Sequence, residues 1–215
     1  ALRDFAAAGV PFRLRRGLPD HSGPQAEGSA ADGRMVAAEP IARDALGPWG
    51  NRLEEGVYNE AGVSWGDAIA GGGLGARQNW PEKELEARRQ KRLLAAGPAL
   101  VGQVLVRLMA ADVPVLAGFR AERLIVEDGR VAGIEGPRRI RATRGVVLAS
   151  GGYEGNPELV NRFEGLPDWM NIFPRSVEGD GLVMGSELGA AVWRVPNNLA
   201  MLVGYAIPSP TELGE

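Results

Sequence analysis

The apolar positions of the chain fall into three kinds of pattern. Over residues 98–111, Leu100, Val101, Val104, Leu105, Leu108 and Met109 recur at helical spacing, which predicts a helix with one broad face packed on a sheet. Residues 121–127 and 130–135 are apolar stretches separated by Asp128-Gly129, both tolerant of positive φ, and so predict a β-hairpin. A further short strand at 139–142 extends it into an antiparallel meander, and another strand is expected at 113–116. Val146, Val147 and Leu148 form a wholly apolar, partly β-branched run, the pattern of a central parallel strand covered on both faces. Ala149, Ser150, Gly151 and Gly152 follow with almost no side-chain bulk. A backbone or a ligand can approach the main chain there, and ligands of open α/β sheets bind where strands end. A tight turn without a ligand has the same composition and stays open beside that reading.

The earlier residues are less regular. The opening Ala-Leu-Arg-Asp-Phe-Ala-Ala-Ala-Gly9 reads as the last turns of a helix stopped by glycine, which predicts that the chain begins inside a longer protein. A short strand is expected at 10–14, and residues 17–50 read as an irregular excursion rich in Gly, Pro, Asp and Ser. Within it, Arg34 after Asp32-Gly33 either presents a guanidinium from a turn or is a solvated arginine, and His21 reads as a surface or turn histidine. Trp49, Tyr58, Trp65 and Trp80 lie near the cluster Gly71-Gly72-Gly73-Leu74-Gly75. No apolar strand precedes that cluster and no apolar helix follows it, so it reads as a flexible loop and not a dinucleotide motif. Pro81 opens a helix spanning about 81–95, with Glu82, Glu84 and Glu86 early and Arg88, Arg89, Lys91 and Arg92 late, matching the helix dipole.

Composition narrows the chemistry. The 215 residues, 45% hydrophobic, suffice for a proper core, and a formal net charge of -3 gives no basic excess for nucleic acid. No apolar run is long enough to predict a transmembrane segment. There is no cysteine and one histidine, which excludes disulfides, thiolate catalysis and zinc-thiolate sites and leaves no material for a multi-histidine metal centre. The only lysines are Lys83 and Lys91, so the arginine load reads as codon bias of a GC-rich genome and not as a basic binding surface.

Several segments together carry a family resemblance. Gly97-Pro-Ala-Leu-Val, Val113-Pro-Val, the hairpin from Arg123 through Asp128-Gly129 to Ile134, Gly145-Val-Val-Leu-Ala-Ser-Gly-Gly-Tyr-Glu-Gly-Asn156 and Glu178-Gly-Asp-Gly181 resemble, in order and spacing, the FAD-dependent fumarate reductase and 3-ketosteroid dehydrogenase flavoproteins. Pro19-Asp20-His21 and Gly33-Arg34 through Leu46-Gly47 resemble the ketosteroid dehydrogenase side more loosely. The resemblance implies an α/β fold: a partial Rossmann-like FAD-binding domain of glutathione-reductase type with an antiparallel β-meander, its first βαβ unit missing from these residues. Residues 1–96 would form an irregular part of the FAD-binding domain, 97–190 its core, and 191–215 the start of a substrate or capping domain.

The resemblance also assigns cofactor-binding positions. Ala121 falls where a main-chain group meets adenine; Ala149, Ser150, Gly151, Gly152 and Tyr153 fall near the pyrophosphate and ribityl chain; Gly179, Asp180 and Gly181 fall near the flavin. Asp180 suits an N-cap for a helix at 182–188 in either case. FAD is implied for the intact protein, held weakly or not at all by residues 1–215 alone, and self-association through an open sheet edge is expected of that piece. The implied activity is hydride transfer at a carbon-carbon bond beside a carbonyl or carboxylate, on a small-molecule substrate of the steroid or dicarboxylate kind, in the cytoplasm. A non-catalytic or interaction module that retains the fold without cofactor is the alternative. Ketosteroid dehydrogenases carry catalytic tyrosine hydroxyls, whereas near Pro19-Asp20 this chain has His21. No catalytic acid or base and no electron acceptor is assigned.

Overall fold

The computed structural model describes residues 2–17, 19, 27–53, 62–73, 76–165, 174 and 176–193. His21, Asp20, Tyr58, Leu74, Gly75 and residues 194–215 lie outside them. The chain divides into two compact units, Ala1–Val115 and Leu116–Glu215.

The first unit opens with α1 (Leu2–Ala7), closed as the glycine signal predicts. Gly9, at φ 85°, donates its N–H to the Ala6 carbonyl while Val10 donates to Phe5, the paired bonds of a Schellman ending. β1 (Phe12–Leu14) follows and pairs antiparallel with β2 (Val36–Ala38); β3 (Ile41–Ala42) pairs antiparallel with β4 (Leu93–Leu94). A 3-10 helix at Arg43–Trp49 is kinked at Gly47. The region expected to be irregular therefore contains two strands and a helix, too short for any period to register. α2 (Trp65–Ala70) begins with a capping box, Ser64 accepting the Asp67 N–H and Asp67 accepting the Ser64 N–H. Of the glycines after it, Gly73 accepts the Trp80 indole N–H on its carbonyl at 3.2 Å. α3 spans Glu82–Gln90 with Pro81 as its cap, shorter than expected because Leu93 and Leu94 turn into β4.

α4 (Ala96–Ala110) packs on β2, β3, β4 and the 3-10 helix. Its buried residues are Ala99, Gly102, Gln103 and Leu105, whereas Leu100 and Val101 are exposed and Val104 and Leu108 only half-buried. The helix is apolar nearly all round, so periodicity alone does not choose its inward face; close approach and a polar partner do. A Cβ on Gly102 would stand 3.1 Å from Ile41 and 3.3 Å from Leu46, so the glycine lets the helix sit close on them without displacing either side chain. Gln103 donates to the Glu39 carbonyl at 3.2 Å and accepts from Arg107 at 3.0 Å, and Arg107 also donates to the Gly9 carbonyl. Around this contact Leu46, Leu94 and Leu105 form one core; Val63, Ala68, Trp80 and Leu85 form another between α2 and α3.

The second unit holds the meander in the predicted order: β5 (Arg123–Glu127), β6 (Arg130–Glu135) and β7 (Arg139–Arg141), all antiparallel. Asp128 and Gly129 both have positive φ, 49° and 74°, and Glu127 pairs with Arg130 across them. α5 (Pro157–Glu164) and α6 (Asp180–Glu187) complete the described elements. Two expectations fail. Residues 113–116 form no strand, and neither do 146–148: Val147 is 89% exposed and Leu148 is also exposed. A central parallel strand exists only with hydrogen-bonded neighbours, and every ladder among the described residues is antiparallel and none includes residues 146–148. No described helix is long and apolar enough to cross a membrane.

Arg88 of α3 reaches back to α2, where it forms an ion pair with Asp67 and donates to the Gly62 carbonyl at 3.1 Å. Burial pushes the Asp67 carboxyl up, but hydrogen bonds from Arg88 and Ser64 outweigh it and hold the group below its ordinary value. A carboxylate depressed in the folded state contributes stability above its unfolded pKa, lost as pH falls through the folded one. The melting temperature should therefore drop on acidification below about pH 4, and Asp67→Asn should flatten that part of the profile. At neutral pH, Arg88→Ala should cost about 1–3 kcal/mol, the scale for a hydrogen bond to a charged group. Thermal melts across the acid range check both; an unchanged acid limb in Asp67→Asn contradicts the assignment.

Candidate cofactor site

The site residues of the second unit gather from three stretches. The first is the small-residue turn. Ala149, Ser150 and Gly151 are exposed, and Gly151 takes φ 85°, a conformation that side chains strain to adopt. After Gly152 the chain makes a bonded turn, the Asn156 N–H donating to the Tyr153 carbonyl at 2.9 Å. Asn156 then caps α5, its side-chain oxygen accepting from Glu158 and Leu159 at 3.1 Å each, with Pro157 at the first helical position. Tyr153 folds onto the far end of that helix: its hydroxyl donates to Glu164 at 2.6 Å and its ring lies 5.5 Å from Phe163.

The second stretch is the Gly-Asp-Gly segment. Gly155 donates to the Val177 carbonyl at 2.7 Å, and the Asn156 amide donates to the Glu178 carbonyl at 3.1 Å. Gly179 is buried with φ 87°; a Cβ there would lie 2.7 Å from Leu159 and 3.0 Å from Tyr153. Gly179, not Asp180, is the N-cap of α6, and the cap residue itself brings no side-chain acceptor to the helix. Asp180 lies one residue inside, in the first helical turn, where its carboxylate faces Arg120 at 2.7 Å and complements the helix dipole. The two stretches meet where the Gly181 N–H donates to the Ser150 hydroxyl at 3.0 Å. A Cβ on Gly181 would stand 2.5 Å from that hydroxyl, so the glycine is required by the approach itself.

The third stretch leads into β5. Arg120 bridges Glu178 at 2.6 Å and Asp180 at 2.7 Å, which places the residue before Ala121 against the Gly-Asp-Gly segment. Its guanidinium pKa is raised, first by the hydrogen bond to Asp180 and then by that to Glu178. Ser150 through Tyr153 and Gly179 through Gly181 thus form one cluster, which the side chain of Arg120, the residue before Ala121, reaches. Arg120 and the capping role of Asn156 are additions to the residues picked from sequence. Asn156-Pro157-Glu158 was readable as a helix start, whereas nothing local marks Arg120.

The sequence model described as the FAD binding domain matches residues 1–209. The chain belongs to the FAD binding domain family. It is 37% identical over 115 residues to a 3-oxosteroid 1-dehydrogenase of Mycolicibacterium smegmatis, covering 47% of this chain and 20% of that protein. It is 36% identical over 124 residues to a 4-oxocyclohexanecarboxylate 2-dehydrogenase of Sinomonas cyclohexanicum, covering 54% of this chain and 22% of that protein. Its fold matches a 3-ketosteroid delta1-dehydrogenase of Sterolibacterium denitrificans, crystallised with 1,4-androstadiene-3,17-dione, at a TM-score of 0.68 and 20% identity over 87% of this chain and 39% of that one. The chain therefore spans about a fifth of the length of these curated relatives. FAD is the cofactor of this family, and the site suits a group that meets main chain: an exposed turn with a positive-φ glycine beside two glycines that tolerate no Cβ.

A side chain at position 151 would be strained at φ 85°, and its Cβ would stand 3.2 Å from Val177. Gly151→Val in the full-length protein should therefore lose bound FAD, with a local strain of about 1–3 kcal/mol and little change in far-UV dichroism. Flavin content of the purified variant checks this; a variant that purifies with a normal flavin complement contradicts it.

Proposed function

We propose that residues 1–215 are part of an FAD-dependent oxidoreductase that moves a hydride between flavin and a carbon-carbon bond adjacent to a carbonyl or carboxylate. The observation that carries this reading is the Gly181 N–H to Ser150 contact at 3.0 Å. It brings together the two segments whose order and spacing resemble the flavoproteins. Both curated relatives carry names of dehydrogenases acting on oxo-substituted ring compounds, which supports a ketone-bearing ring or a related acid as the substrate class. The alternative of a non-catalytic module draws no support from these relatives.

When bound, FAD supplies the redox chemistry. Ala149 through Tyr153 would hold its pyrophosphate and ribityl chain, Gly179 through Gly181 would leave room for a flat ring, and Ala121 would offer main chain to the adenine. The hydroxyl of Tyr153 is held by Glu164 at 2.6 Å, a hydrogen bond that fixes the ring's orientation at the edge of this cluster.

The domain is read as a partial Rossmann-like unit of glutathione-reductase type, with 97–190 as the core of the FAD-binding domain and 191–215 as the start of a substrate or capping domain.

The test is an absorption spectrum of the full-length protein, alone and after anaerobic addition of a saturated 3-ketosteroid, an oxocyclohexanecarboxylate, or, for the chemically reduced form, fumarate. One of these should bleach the oxidised flavin bands or, with fumarate, restore them. A protein that carries no flavin, or whose flavin bands respond to none of the three, contradicts the reading.

A further inference from the structure

We infer that Arg120 is a positioning residue for the cofactor site: by holding the two carboxylates on either side of Gly179, it fixes the Gly179–Gly181 turn against the segment that leads to Ala121. The inference rests on the flavin reading above. Three observations converge on it. The main chain around Arg120 is pinned by the meander, since the Glu122 N–H donates to the Glu135 carbonyl at 2.7 Å. Gly136 lies so close that a Cβ there would collide with the Arg120 carbonyl oxygen and stand 3.2 Å from two ring carbons of Phe119. From this fixed base the guanidinium reaches Glu178 at 2.6 Å and Asp180 at 2.7 Å with the same nitrogen.

The charge arrangement gives the contact its consequence. Glu178 and Asp180 flank a left-handed glycine, and the turn between them delivers the Gly181 N–H to Ser150. Without a cation between them, the two carboxylates repel each other and also oppose the approach of a group carrying a pyrophosphate. Arg120, seated between them, screens the repulsion and offsets one of the two negative charges. Its side chain is 59% exposed, so the pairs add little to global stability, and their effect is on local geometry and charge. No sequence proximity announces this, because the partners lie about 60 residues apart.

The experiment uses the full-length protein and measures FAD affinity by fluorescence, together with amide hydrogen exchange of the apo form. Arg120→Ala should weaken FAD about tenfold or more, on the scale of a lost charge-assisted contact. Its melting temperature should hardly move, and Arg120→Lys should recover part of the loss. Apo Arg120→Ala should exchange faster at residues 179–183 and unchanged in β5 and β6. The affinity ratio between wild type and Arg120→Ala should shrink in high salt, as an electrostatic role requires. Should Arg120→Ala fail to fold, Arg120→Gln carries the same measurements. Affinity equal to wild type, or a loss with no change in local exchange and no salt dependence, overturns the assignment alone. A wild-type protein that binds no FAD overturns both the flavin reading and the assignment with it.

Discussion

The hydrogen bond from the Gly181 N–H to the Ser150 hydroxyl joins segments 31 residues apart, and the candidate site exists only where it forms. A hydroxyl is small enough to sit against a helix's first turn and polar enough to satisfy a backbone donor that the helix itself leaves without a partner. The approach demands glycine on one side, since any Cβ at position 181 enters the space of that hydroxyl. Gly179, buried against Leu159 and Tyr153, is required for the same steric reason and for its positive φ. The sequence Gly-Asp-Gly is thus read by the fold as two forced small residues around one acid, with Arg120 taking the acid.

Around this contact the protein relies on main-chain bonding more than on apolar burial. Gly155, Asn156 and Gly181 each tie one stretch of the site to the other, while Val160 and Met184 are the buried apolar residues of the two adjoining helices. The first unit follows the opposite logic. There Leu46, Leu94 and Leu105 close a core under α4, and Gln103 enters it only because the Glu39 carbonyl and Arg107 satisfy both ends of its amide.

Local chemistry was legible in the sequence wherever neighbours in the chain determine the outcome. Asp128-Gly129 specified the hairpin and Gly9 the helix ending. The capping box of Ser64 and Asp67 that starts α2 is equally local, yet it was not among the expectations drawn above. What the sequence hid is non-local. The inward face of α4 depends on Glu39, 64 residues from Gln103, and the two-residue ladder of β3 with β4 is too short to leave a period. The run from Val146 to Leu148 has a strand's composition, yet composition cannot supply the hydrogen-bonded neighbours that make a strand. Asp180 was readable as a helix start but not as the partner of Arg120, so its neighbour Gly179 takes the cap position instead.

If FAD is held at the joined segments around Ser150 and Gly181, amide hydrogen exchange of the full-length protein, with and without added FAD, will register it there. Exchange should slow on FAD addition in residues 149–156 and 177–183, with little change in α3. FAD-dependent protection confined to other parts of the protein, leaving both of those segments untouched, contradicts that placement.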